Sequence, residues 1–210
     1  MISYVLEHNP DDRVLARAAQ ILRSGGMICF PTETNWVVAV DPFQKAGVDR
    51  LYQLRHVENT KHFTVLCPNF QKAMEIAHIS DGAFRLMKKV IPGPYTFILE
   101  AQKKVTKHLK ASKVDHQVGI RFPPKPLCQS ILETYGEVLL SSHLNHDMIP
   151  DADETIPLYS AQIEEAFPDL DLILDPGEHE FLGHTTIIDF TSGEPTLVRQ
   201  GLGNSELFLP

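Results

Sequence analysis

Six short polar blocks each follow an apolar run: Pro31-Thr32-Glu33-Thr34, Gln53-Leu54-Arg55, Pro92-Gly93-Pro94-Tyr95-Thr96, Gly119-Ile120-Arg121-Phe122-Pro123, Ser142-His143-Leu144-Asn145 and Val198-Arg199-Gln200-Gly201. In α/β proteins ligands gather where strands end, because loops there carry polar groups on a rigid base. Three of the blocks supply an arginine and three supply hydroxyl or amide groups. A guanidinium fork matches two anionic oxygens at once, so this mix suits a phosphorylated or carboxylate-bearing ligand.

The familiar nucleotide signatures are absent. No Gly-x-x-x-x-Gly-Lys-[Ser/Thr] run occurs, and Gly201-Leu202-Gly203 lacks the third glycine of a dinucleotide fingerprint. A nucleotide would therefore be held by side chains from several loops, and the spread of Arg55, Lys61, Arg121 and Arg199 permits that. His143 with His146, and His179 with His184, lack the helical context or paired cysteines of a zinc site, so no protein-bound metal is expected. Cys29, Cys67 and Cys128 are far apart and embedded in apolar residues; buried thiols in a reducing cytoplasm are expected.

Elements that position the blocks are legible from periodicity. Residues 11–24 read as a helix capped by Asp11 or Asp12, with Val14, Ala18, Ile21 and Leu22 on one face and Gly25-Gly26 after it. Residues 27–30 form a short buried strand that Pro31 ends. A second helix carries Val48, Leu51 and Tyr52 and places Arg55 at its C-terminal end. Further strands are expected at 63–67, 95–101, 118–122, 138–141, 170–174, 186–190 and 196–199, with helices near 83–90 and 126–135. Residues 146–157, polar and proline-punctuated, read as a mobile loop. The interleaving gives an α/β fold with a mixed sheet.

A chain of 210 residues with 43% apolar content fits one domain spanning 1–210. No stretch approaches the ~20 apolar residues that cross a bilayer. Residues 1–125 carry net +7, whereas 126–210 carry net −15 with Arg199 as their only basic residue. That asymmetry singles out Arg199 for ligand contact. Lys103, Lys104, Lys107, Lys110 and Lys113 form the strongest basic cluster; on a helix, several share one face, opposite Val105 and Leu109.

The blocks, in this order, resemble the YrdC-like family of threonylcarbamoyl-AMP synthases, and more closely its YciO branch. The similarity runs from about Leu15 to Gly203, with Thr185-Thr186-Ile187-Ile188-Asp189 and Arg199-x-Gly201 supporting it towards the C-terminus. It implies an open, twisted mixed sheet flanked by helices around a large concave ligand cavity. The implied reaction joins L-threonine, bicarbonate and ATP, with Mg²⁺ accompanying the ATP and no tightly bound prosthetic group, for modification of a tRNA adenosine. Departures are visible too. The family's Lys-x-Arg reads Gln53-x-Arg55, its Ser-x-Asn reads His143-x-Asn145, and Asn35-Trp36-Val37-Val38-Ala39 replaces a glycine-containing run after Thr34. The expectation is an activity that is weakened or redirected.

On that resemblance Arg55 and Lys61 are candidates for the phosphates, with Asn145 and Thr96 as hydrogen-bonding partners. Arg55, Lys61 and Asn145 make the catalytic set. Thr32, Thr34 and Arg121 are assigned to the amino acid, and Arg199 approaches the nucleotide from the opposite wall. His143 either narrows the phosphate region or adds a donor that becomes cationic near neutral pH. Plainer roles stay open: Thr96 beginning a strand, Arg121 pairing with an acid, Asn145 shaping a turn. Some relatives are associated with RNA, so residues 103–113 are the candidate for phosphate-backbone contact. The rival readings are a non-catalytic double-stranded RNA-binding module and a small-molecule sensor.

Overall fold

A computed structural model describes residues 1–55, 63–109, 112–153 and 155–208. The chain runs β1 (Ile2–Tyr4), α1 (Asp12–Arg23), β2 (Ile28–Pro31), β3 (Trp36–Val40), α2 (Lys45–Arg55), β4 (Thr64–Leu66), α3 (Phe70–Ile76), β5 (Ala77–His78), α4 (Asp81–Met87) and β6 (Tyr95–Ala101). It continues through α5 (Lys103–Thr106), α6 (Ser112–Asp115), β7 (Gln117–Arg121), α7 (Pro126–Tyr135), β8 (Leu139–His143), α8 (Ser160–Ala166), β9 (Leu172–Asp175), β10 (Thr186–Asp189) and β11 (Thr196–Arg199). All the described strands join one mixed sheet in the order β1-β9-β2-β3-β8-β4-β7-β6-β10-β11, with β5 beside β6. β9 is parallel to β1 and β2, β4 to β7 and β6 to β10, while the remaining pairs are antiparallel.

Period-two alternation buries both faces of the central strands. In β3, Val37 and Ala39 join a cluster with Leu15, Leu22, Leu127 and Ile131, so α1 and α7 cover that face. Trp36, Val38 and Val40 point the other way, into the larger core with Leu51, Ala73, Met87 and Ile163 from α2, α3, α4 and α8. Each large apolar side chain so buried contributes roughly 1.5–3 kcal/mol. α1 begins at Asp11, whose side chain accepts from the Arg13 amide at 2.7 Å. Gly25 follows it at φ +80°, a conformation glycine adopts without a Cβ penalty. Pro31 pairs with Trp36 as the last residue of β2 instead of standing outside it.

Two expectations change. Residues 103–113 are not one helix: α5 ends at Thr106, and Lys107 to Leu109 are non-helical. Val105 and Leu109 are buried as expected, but burying both is achieved by a turn. Lys103, Lys104 and Lys107 are exposed; Lys104 lies 3.8 Å from Glu75 and 4.8 Å from the Phe43 ring centroid, and Lys110 falls outside the described residues. The expected loop after Asn145 contains a 3₁₀ turn, His146–Met148, and buries Ile149. No described helix is long and apolar enough to cross a membrane. Cys29, Cys67 and Cys128 are buried free thiols, and burial pushes each of them well above the ordinary thiol range.

Candidate functional site

The closest-knit part of the site starts at the β2–β3 turn. Residues 32–35 close it through the Thr32 amide, which donates to the Asn35 carbonyl at 2.8 Å. The Thr32 hydroxyl donates to the same carbonyl at 2.9 Å and stands 3.1 Å from the Thr34 hydroxyl. Thr32, Glu33 and Thr34 are all buried, at 0%, 3% and 6% exposure, so this turn faces inward. Arg121, the last residue of β7, is also fully buried. It forms an ion pair with Glu33 and donates to the Thr34 hydroxyl at 3.2 Å.

Arg121 also reaches Nε2 of His143 at 3.0 Å. Arginine can only donate, so Nε2 accepts and the neutral ring carries its proton on Nδ1. Burial, then the positive charges of Arg121, His184, Arg55 and Arg199, pull His143 down to about 3. The imidazole is therefore neutral at ordinary pH, correcting the expectation of a cation there. It also belongs to β8, which extends past the expected end at Ser141. Arg55, the last residue of α2, donates to the His143 carbonyl at 3.0 Å and contacts the Met148 sulfur. Burial lowers Arg55 while Asp147 opposes the shift.

On the far side, the Thr96 and Thr185 hydroxyls are 2.8 Å apart. Arg199 donates twice to the Thr185 carbonyl, at 3.0 and 3.2 Å, which ties β11 to the start of β10. Between these groups lies a pocket of about 360 Å³ lined by Arg55, Thr96, His143, Asn145 and Arg199, with Ser142 and Thr185 among the other residues. Five sequence-predicted residues thus share one wall system. Its described lining contains two arginines and no carboxylate. Other cavities, of about 460 and 470 Å³, are somewhat larger, so size alone does not mark the site.

Thr32, Thr34 and Arg121 are brought together, but none of them lines this pocket. They stand behind His143, and Arg121 takes the plainer role left open for it, pairing with an acid. Lys61 lies outside the described residues. Sequence reasoning did not single out Glu33 or Thr185, although both sit inside quoted blocks; Glu33 was legible only as the sole acid flanked by the two threonines. Among the described residues no group of three or more His, Cys, Asp or Glu is placed to hold a metal. The hydroxyl and amide oxygens of Thr96, Ser142 and Asn145 suit the waters of a Mg²⁺ ion that arrives on phosphates, because Mg²⁺ keeps much of its hydration.

The family model for Sua5, YciO and YrdC, described as telomere recombination, matches residues 20–201. The protein YciO of Escherichia coli K12 is 33% identical over 208 residues, covering 98% of each chain. Its crystal structure superposes with a TM-score of 0.84 at 32% identity, over 100% of this chain and 99% of that one. A threonylcarbamoyl-AMP synthase of Nitrosococcus oceani is 28% identical over 179 residues, covering 84% of this chain and 93% of the relative. With the sheet, the arginine pocket and these similarities together, the chain belongs to the Sua5/YciO/YrdC family, which is associated with threonylcarbamoyl-AMP synthase activity.

Proposed function

We propose that the protein binds ATP in the arginine pocket and acts as a threonylcarbamoyl-AMP synthase-type enzyme on L-threonine and bicarbonate. The observation that carries this reading is the lining itself: Arg55 and Arg199 face one cavity with hydroxyl and amide donors and, among the described residues, no carboxylate. Such a wall favours polyanions, and desolvation strengthens each charge-assisted contact.

In this reading the threonine amine and bicarbonate give a carbamate and water. A carbamate oxygen then forms a bond to the ATP α-phosphorus, and the bond to pyrophosphate breaks with its electron pair leaving on pyrophosphate. Mg²⁺ bound to the phosphates would neutralise part of their charge. Arg55 and Arg199 hold phosphate oxygens from opposite walls, Thr96 and Asn145 orient them, and Nδ1–H of neutral His143 supplies a hydrogen bond without adding a titrating charge. Arg121 acts as a positioning residue, holding the imidazole and the Thr34 hydroxyl at the amino-acid end. Approach and alignment of the two reactants make the main contribution, since the chemistry needs no strong base.

The test is incubation of the purified protein with ATP, threonine, bicarbonate and Mg²⁺. Threonine-dependent pyrophosphate together with the adenylate product is expected. ATP binding without either product would assign the pocket to another acceptor, and absence of ATP binding would remove the reading altogether.

A further inference from the structure

A second cavity, of about 470 Å³, shares no described lining residue with the arginine pocket and has the opposite chemistry. Tyr4, Trp36, Tyr159 and His179 line it, and Asp175 and Glu178 contribute carboxylates; among the described residues no lysine or arginine lines it. Its volume lies within the usual range for small-ligand sites.

Asp175 ends β9 and is only 7% exposed. One of its oxygens accepts from the Gly177 amide at 2.8 Å and the other from the Ser160 hydroxyl. Both donors are neutral, and neither Asp175 nor Glu178 has an ion-pair partner among the described residues. Hydrogen bonds alone therefore hold this carboxylate, and a cation entering the cavity would supply the ion pair that the protein does not. The aromatic side chains point to the same kind of visitor. Tyr4 is 75% exposed and Tyr159 58%, and both line the same cavity as the two carboxylates. Trp36, also in the lining, is fixed by a 2.8 Å bond from Nε1 to the Leu158 carbonyl, and His179 packs edge-on against it at 5.0 Å.

Aromatic faces next to carboxylates recognise organic cations, because the ring quadrupole and the anionic oxygens act in the same direction. We infer that this cavity is a binding site for a small organic ammonium ion, its charge toward Asp175 and Glu178 and its alkyl groups against Tyr4 and Tyr159. The site is independent of the synthase reading, since no described lining residue is shared.

Trp36 is the only tryptophan, so its fluorescence reports on this cavity. The full-length protein should be titrated with choline and, separately, with its neutral isostere 3,3-dimethyl-1-butanol at constant ionic strength. A saturable change with choline below about 10 mM, absent with the isostere, is expected. Glu178→Gln and Tyr159→Ala alter exposed side chains outside the core, and each should weaken choline binding by about 3- to 30-fold. Equal responses to choline and its isostere, no saturation in that range, or unchanged binding in both variants would each overturn the inference. Asp175→Asn tests the buried carboxylate; if it unfolds the chain, the two surface variants still decide.

Discussion

Arg121 donates to Nε2 of His143 across 3.0 Å, and that single contact settles the tautomer of the imidazole that lines the arginine pocket. The contact depends in turn on Glu33, which holds the same guanidinium in an ion pair with both side chains almost wholly buried. A buried pair need not add stability against an apolar replacement, but breaking one partner strands the other. Glu33→Gln should therefore destabilise the protein by about 3–5 kcal/mol in denaturant unfolding. A loss below about 1 kcal/mol would mean that Thr34 and His143 satisfy Arg121 without Glu33.

The same arrangement makes a prediction about acid. An unfolded histidine titrates near 6.5, whereas folding brings His143 to about 3. Between those values the unfolded chain binds a proton that the folded chain does not. The stabilisation is thus fully present above the unfolded pKa and is lost as pH falls toward the folded one. Comparing unfolding midpoints from about pH 7 to about pH 4, wild type should lose stability faster than His143→Asn, by up to about 1.4 kcal/mol per pH unit. Parallel curves would show that the folded imidazole takes up its proton freely.

Much of this site was readable before the fold was known. β6 and α7 coincide with the expected segments, where apolar runs are bounded by proline or glycine; β11 coincides too, although all four of its residues are exposed. β3 lies outside the expected strands: residues 35–39 read as a departure from a glycine-containing run, whereas Trp36–Val40 form a five-residue strand buried on both faces. β1 and α8 carry too little local pattern to be expected, being short and stabilised by the strands they flank. Arg55, Thr96, His143, Asn145 and Arg199 converge as block order suggested. The Glu33–Arg121 pair is different. It joins residues 88 positions apart, and no local pattern tells which of many acids a buried arginine will meet.

ATP affinity tests the two arginines of the pocket. Each already has protein partners, Arg55 through the His143 carbonyl and Arg199 through Thr185, so each is pre-oriented before ligand arrives. Pre-orientation reduces the entropy lost when a phosphate binds. Arg55→Ala and Arg199→Ala should each weaken ATP binding by about 1.5–3 kcal/mol in calorimetry. Equal affinity in wild type and both variants would take these side chains out of the nucleotide site.

Two of the departures from the family pattern, Gln53 and His143, invite reversal. Gln53 is exposed on α2, two residues before Arg55, and His143 fills part of the pocket wall. Gln53→Lys adds a cation near the Arg55 end of that helix, and His143→Ser replaces a ring with a small hydroxyl. The second change also removes the acceptor for Arg121, so it should cost about 1–3 kcal/mol of stability through the unpaired donor. The double variant is expected to fold less stably yet release pyrophosphate faster in the presence of threonine. Those two effects are separable, because stability is read by unfolding and turnover by product. A folded double variant with no gain would mean that the imidazole and glutamine are not handicaps to an inherited reaction. They would then belong to a pocket adapted to a different acceptor of the nucleotide.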